Sequence, residues 1–363
     1  MNLNTLGWNS FFKKSFDSLG IQDWLPGRVA KEHRQAYLVV CEHGEYRAEV
    51  SGRFAHETSG RGDFPTVGDW VAISPRPDES KATIHAMLPR RSSFSRKAVL
   101  AGGPAYGECK TEEQVLAANV DIVFLVCGLD GDFNVRRLER YLTVGWDSGA
   151  TPAVILSKSD LCSNTDEVMT QVEASAPGVP VFLTSVIEGS GIEDVRRHLS
   201  PGQTGAFLGS SGVGKSTIIN ALLGEEHMRI QAVREDDSRG RHTTTHREMI
   251  LVPDGAIVID TPGLREIQLW GDESSLERSF EDVEQLGRLC RFRDCRHNGE
   301  PGCAIAAALD DGTLDSGRYQ NYLKMQKELQ HLARRQNQKA SLAERAKWKK
   351  VTLYQRDLKK NRK

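Results

Sequence analysis

Nothing in this sequence restricts the fold as strongly as residues 206–217, which read A-F-L-G-S-S-G-V-G-K-S-T. The spacing Gly209-x-x-x-x-Gly214-Lys215-Ser216 is that of a phosphate-gripping loop, and its flanks suit one: an apolar lead-in and a helix-forming exit, STIINALL. Gly209, Gly212 and Gly214 let the backbone curl, so that N–H groups along Ser210, Ser211 and Val213 point inward, while the start of the helix at Thr217 adds its partial positive charge. In such a loop Lys215 lies against the β- and γ-phosphates, and the Ser216 hydroxyl completes a Mg²⁺ shell. The chain must therefore fold as strand, tight loop and helix at this point.

The loop arrives with two hundred residues ahead of it, and those residues already carry an α/β pattern. VDIVFLVCGLD (120–130) is a continuous apolar run of the kind buried on both faces of a parallel sheet, and the helix-like NVRRLERYLTVGWDSG follows it. TPAVILSKSD (151–160) and VPVFLTS (179–185) repeat the unit, and GAIVIDTPG (255–263) supplies one more strand after the loop. Asp260 falls at the end of that strand, where an aspartate attends the Mg²⁺, and Gly263 can offer a backbone N–H to a γ-phosphate.

Upstream of this region the period changes. From Gly27 to about Arg91 short strands alternate with Gly, Pro and Asp turns, which predicts a small barrel of the SH3-like or OB type, OB preferred. Basic and aromatic residues interleave there (Arg34, Tyr37, Tyr46, Arg47, Arg53, Phe54), as on a nucleic-acid face or simply a charged barrel exterior. The expected division is an N-terminal extension at 1–26, an OB barrel at 27–92, a mobile connector rich in Ser, Gly and Lys at 93–111, an α/β domain at 112–272, and a helical, charged region at 273–363. With 363 residues, 39% hydrophobic and 27% charged, the chain has room for several cores. It has neither a membrane-length apolar run nor a secretory leader, which points to the cytoplasm. The net charge of -1 conceals a basic end, KASLAERAKWKKVTLYQRDLKKNRK, that reads as a solvated helix or a nucleic-acid contact.

A phosphate loop does not choose its base, and alone it also admits an ATPase or kinase. Guanine offers paired N1–H and N2–H₂ donors to a carboxylate, whereas adenine presents an acceptor at N1. Ser157-Lys158-Ser159-Asp160 sits at a strand end in the place of the Asn-Lys-x-Asp guanine motif: Asp160 would read the base and the Lys158 stem would cover it. Ser157 stands where the motif has Asn, which predicts a weaker brace on the loop. Thr184 and Ser185, ending the next strand, can serve as the backbone motif that follows in GTPases. The guanine motif thus precedes the phosphate loop, an order that circular permutation produces without altering the sheet.

PTVGDWV, QVLAANVDIVFLV, FNVRRLERYL, GSSGVGKST, GRHTTTHRE, DTPGLRE and FRDCRHNGEPGCA, in this order from about Pro26 to Lys347, resemble the circularly permuted ribosome-biogenesis GTPases of the RsgA/YjeQ family. The resemblance implies an OB-fold, a permuted GTPase domain and a C-terminal zinc domain. It also implies binding to the small (30S) ribosomal subunit and its 16S rRNA by a monomer, with subunit-stimulated GTP hydrolysis late in maturation. The first 25 residues fall outside it. The rival expectation is an RNA-binding scaffold whose nucleotide is structural.

Leu264 follows Gly263 where Ras-like enzymes place a water-orienting Gln, so GTP turnover by the isolated chain should be slow. The segment 240–246 is the candidate switch: Thr244, or a neighbour of it, for Mg²⁺, and His242 for the attacking water beside Lys215 and Gly263. Finally, the seven cysteines are too scattered for a disulfide framework, but Cys290, Cys295, His297 and Cys303 form the Cys₃His set of a closed, structural Zn²⁺ site.

Overall fold

Alternating short strands close into a barrel. β1 (Leu25–Glu32), β2 (Tyr37–Cys41), β3 (Gly44–Val50), β4 (Trp70–Pro75) and β5 (Lys81–Met87) run in the order β1-β2-β3-β5-β4 and return to β1, with β3 and β5 parallel. Period-two alternation turns Val29, Val39, Ala48, Val71, Ile73 and Ile84 inward as its core, and this is the expected OB arrangement. The computed structural model describes residues 2–33, 36–58, 60–76, 79–99, 111–131, 133–224, 247–260 and 273–334. The chain divides into two compact units, residues 1–268 and 269–363.

The expected connector is not without structure. β6 (Ser93–Val99) and β7 (Thr111–Ala118) pair as an antiparallel ribbon from Ser93↔Ala118 to Val99↔Thr111. Its Ser- and Lys-rich sequence reads as linker because the ladder is satisfied by backbone groups, which composition does not reveal. Residues 100–110 lie outside the described residues.

Six further strands form the α/β sheet: β8 (Ile122–Gly128), β9 (Thr151–Ser157), β10 (Val181–Thr184), β11 (Thr204–Leu208), β12 (Glu248–Leu251) and β13 (Ile257–Asp260). Their order is β10-β9-β8-β11-β13-β12, parallel except for β12. Every residue of β8 is buried, as its unbroken apolar run requires. Four helices accompany the sheet: α3 (Val135–Asp147), α4 (Thr165–Ser175), α5 (Ile192–His198) and α6 (Lys215–Leu223), numbered after α1 (Ser10–Asp17) and α2 (Gly52–Glu57). Phe124, Val126, Ile155, Phe207, Ile218, Leu222 and Val258 share one core, each such side chain stabilising by about 1.5–3 kcal/mol.

Barrel and α/β sheet are joined edge to edge. Lys31 of β1 pairs with Glu248 of β12 in register and through a 2.9 Å ion pair, so the strands form one eleven-stranded sheet. Arg247 adds a 3.1 Å bond to Glu32.

The N-terminal residues, for which sequence offered no account, seal this junction. Leu6 and Phe12 are buried, and the Trp8 ring meets Trp70 edge-on at 4.7 Å. Arg28 lies fully buried at the centre. Its guanidinium donates to Leu6 O (2.6 Å), Gly68 O (3.2 Å), Asn119 O (3.1 Å) and Thr204 Oγ1 (2.9 Å). Desolvation pushes its pKa down to about 10, partly countered by Asp121 and Asp69, so it remains charged at neutral pH.

The second unit is helical: α7 (Glu273–Ser279), α8 (Glu281–Arg288), α9 (Ala304–Asp310) and a helix through residues 316–334. Leu276, Phe280, Val283, Ile305, Met325 and Leu329 are among its buried apolar residues. Arg318 braces it with a two-bond contact to Asp282 (2.6 and 2.8 Å) while lying over the Phe280 ring. The basic segment from 335 onward lies outside the described residues. Among the described residues no helix is long and apolar enough to cross a membrane.

Candidate functional site

The phosphate loop occupies the turn between β11 and α6, at the carboxyl end of a central parallel strand, where open α/β sheets bind their ligands. Gly209 has to be glycine: a Cβ there would stand 2.4 Å from Val126 O on the neighbouring strand. Gly214, with φ +95°, takes the left-handed conformation from which α6 starts. Lys215 Nζ donates to Gly209 O at 2.7 Å and Ser210 O at 2.5 Å, holding the loop in a closed curl. Ser210 Oγ lies 3.3 Å from the Tyr141 hydroxyl. Ser211 and Gly212 are exposed at the tip, Val213 is buried beneath it, and Ser216 and Thr217 begin the helix.

Ser157 ends β9, two strands away, and Lys158, Ser159 and Asp160 follow it. A brace at Ser157 is present in the structure. Its buried hydroxyl donates to Val213 O at 2.6 Å, tying the turn directly to the phosphate loop across 56 residues. β9 brings Ser157 close to the loop, within 3.9 Å of a Cβ placed on Gly214. Lys158 adopts φ 59° and ψ 40°, left-handed geometry uncommon outside glycine. Ser159, Asp160 and Leu161 form a 3-10 turn. Asp160 Oδ1 accepts from Ser185 Oγ at 2.6 Å, and Thr184 is the last residue of β10, in register with Ser157. The two motifs, far apart in sequence, therefore meet at one end of the sheet.

Asp260 is the last residue of β13, opposite Glu248. The donor chemistry of Ser216 and Asp260 fits Mg²⁺, a hard cation that takes oxygen ligands. His242, Thr244, Gly263 and Leu264 lie outside the described residues.

Sequence reasoning did not single out Asp130. It lies two residues beyond the end of β8 and forms an ion pair with Lys158. An acidic residue after a buried run is a common turn feature, and only the fold reveals its partner.

In the second unit the ligand atoms of Cys290, Cys295, His297 and Cys303 all lie within 4.8 Å of one another. His297 Nδ1 is 3.5 Å from Cys290 Sγ and 3.4 Å from Cys303 Sγ, and the two sulfurs are 4.0 Å apart. Tetrahedral zinc with its usual bond lengths has edges of about 3.6 Å (S to N) and about 3.8 Å (S to S), close to the three edges among Cys290, His297 and Cys303, and the donor set suits that ion. Cys303 also caps α9, accepting from the Ala306 N–H at 3.4 Å.

A phosphate loop on a central parallel strand, braced by the Ser157–Asp160 turn that precedes it in the chain, defines a P-loop nucleotide-binding domain of the circularly permuted kind. A family model described as RsgA GTPase matches residues 87–270, and one described as 50S ribosome-binding GTPase matches 204–342. The chain is 48% identical to the small ribosomal subunit biogenesis GTPase RsgA of Opitutus terrae, over 98% of this chain and 97% of that one. It is 42% identical to RsgA 1 of Oceanobacillus iheyensis over the whole of both. The crystal structure of YjeQ from Thermotoga maritima superposes with a TM-score of 0.62 at 25% identity, covering 84% of this chain and 98% of that one. The chain belongs to the RsgA GTPase family and is a GTP-hydrolysing enzyme. The matches reach across the first 25 residues, which correctly belong within the family's extent.

Proposed function

We propose that this GTPase binds the small (30S) ribosomal subunit through its 16S rRNA, as a cytoplasmic monomer, and assists late maturation with subunit-stimulated hydrolysis. The observation that carries the nucleotide half of this reading is the Ser157–Val213 bond, which unites the base-site turn with the phosphate loop. The relatives' name, small ribosomal subunit biogenesis GTPase, supports the partner.

In this reading Gly209, Ser210, Ser211, Gly212, Val213 and Gly214 cradle the phosphates with backbone N–H groups, Lys215 neutralises developing charge, and Ser216 and Thr217 continue the site. Asp160, oriented by Ser185, reads guanine, and Lys158 and Ser159 complete that contact beside Thr184. Ser216, Asp260 and Thr244 would hold Mg²⁺, which supplies charge neutralisation at the phosphates when bound. His242 and Gly263 are assigned to the water and the γ-phosphate. Cys290, Cys295, His297 and Cys303 would hold one structural Zn²⁺. The barrel, the 273–363 region and the basic end contact rRNA.

GTP turnover measured alone and with purified small subunits tests the proposal. The expected result is slow intrinsic hydrolysis that rises at least tenfold, a barrier change of about 1.4 kcal/mol, on adding subunits. Equal rates with small subunits, large subunits and none would remove the ribosomal half.

A further inference from the structure

Two side chains at the base end of the site are held in place, by different partners. Asp160 is held by Ser185, and Lys158 by Asp130, which lies on the loop leaving the neighbouring parallel strand. Most exposed ion pairs contribute little, because two long side chains lose freedom for a screened attraction. This one differs in three respects. Both side chains are only about a quarter exposed, 26% for Lys158 and 29% for Asp130. The Asp130 carboxylate packs back onto its own loop, where a Cβ on Gly128 would stand 2.8 Å from its Oδ1. The loop itself is pinned to the base-site turn, since Leu129 N–H donates to Ser157 O at 2.9 Å. Lys158 meanwhile pays for a left-handed backbone, a feature that persists only where its surroundings hold it.

We propose that Asp130 is a positioning residue for guanine-nucleotide binding: it anchors the Lys158 ammonium so that the aliphatic stem is already stretched in the place where the base stacks. The proposal rests on reading residues 157–160 as the base site. Asp130 touches neither base nor phosphate in this scheme. Its contribution is to spare the nucleotide the entropy of ordering a four-carbon chain, and so it acts on affinity for GTP and GDP alike and leaves base discrimination to Asp160. Hydrolysis takes place at the other end of the nucleotide, so kcat should stay while KM rises.

The test uses the full-length chain and compares wild type with D130N, D130E, K158M and D130N/K158M. Dissociation constants for fluorescent GDP and a non-hydrolysable GTP analogue are read beside kcat and KM for GTP. D130N should weaken both nucleotides about tenfold, with kcat within about twofold, and D130E should recover most of the loss. K158M keeps much of the stem's bulk but loses the anchor, so it should match D130N in nucleotide affinity, and the double variant should bind no worse than K158M. Unchanged affinity in D130N, additive losses in the double variant, or a fall in kcat at constant KM would each overturn the proposal. Thermal melting separates a folding defect, which D130E would also have to repair.

D160N is the independent arm. Xanthine carries a carbonyl where guanine carries its 2-amino group, so an Asn that donates should shift preference from GTP to XTP. If D160N leaves preference unchanged, the base-site reading fails and the proposal fails with it. If D160N shifts preference and D130N has no effect, the proposal alone fails.

Discussion

The two units of this chain reach stability by different physical routes. Residues 25–260 bury a long apolar sheet, with Phe124, Val126, Ile155 and Val258 packed under Ile218 and Leu222, and their polar groups are largely satisfied by strand ladders. Residues 273–334 combine three short helices, α7, α8 and α9, with the longer helix through 316–334; they expose Leu289 (73%) and Phe292 (45%) and gather three sulfurs and an imidazole around the loop between α8 and α9. The chain between Leu289 and Gly302 is largely exposed, and ligand bonds to an ion there would hold what burial does not.

Removing the metal ligands should separate the units most sharply. Chelation, or Cys295→Ser, should abolish the cooperative helical structure of the second unit, because structural zinc supplies about 10 kcal/mol or more of folding free energy. Affinity for GDP should persist. Circular dichroism and fluorescent-GDP titration check this, and full helicity without stoichiometric zinc would erase the contrast.

Arg28→Met should have the reverse distribution. It strips the donor from three backbone carbonyls and a threonine hydroxyl at once, costing roughly 3–5 kcal/mol in the first unit and leaving the second unchanged. Urea unfolding followed by tryptophan fluorescence reports it, since Trp8 and Trp70 adjoin the site. A loss under about 1 kcal/mol would mean that the seam is held by apolar packing alone.

The smallest effect expected is that of acid. Burial lowers the pKa of His85, stacked on Trp24, and of His198, packed against Phe182. A histidine with a depressed folded-state pKa binds its proton less readily folded than unfolded. Its contribution is complete above the ordinary value of 6.5 and is lost as pH falls through the folded-state value. The first unit should therefore soften modestly in this window, and His85→Phe should flatten part of the slope in pH-dependent melting. An unchanged slope in that variant would exclude His85 as a source.

The phosphate loop and the cysteine cluster were legible because each is complete within a short stretch, where spacing alone dictates geometry. The parallel sheet was legible from unbroken apolar runs. Ser157 was legible as a departure from a motif, but its bond to the phosphate loop was not, since Val213 is brought to it only by the strand order. Arg28 reads as an outward charge in an alternating strand, and nothing local announces that its partners come from residues 6, 68, 119 and 204. The aromatics at the start of the chain show no period that would distinguish a docked segment from a frayed one, and the β6–β7 ribbon hides behind a linker-like composition.

Synthesis from the N-terminus gives the strand order a temporal meaning. Once residue 184 has emerged, β8, β9 and β10 can assemble, yet β8 keeps an open parallel edge until β11 is made, and β11 in turn awaits residues 257–260. Arg28 stays incompletely satisfied over the same interval, because Thr204 arrives with β11. The innermost strand of this sheet is thus inserted after its neighbours on one side, and distant pairings of this kind make folding slow and leave adhesive edges exposed. A nascent chain ending between residues 185 and 203 carries β8 with that edge still unpaired.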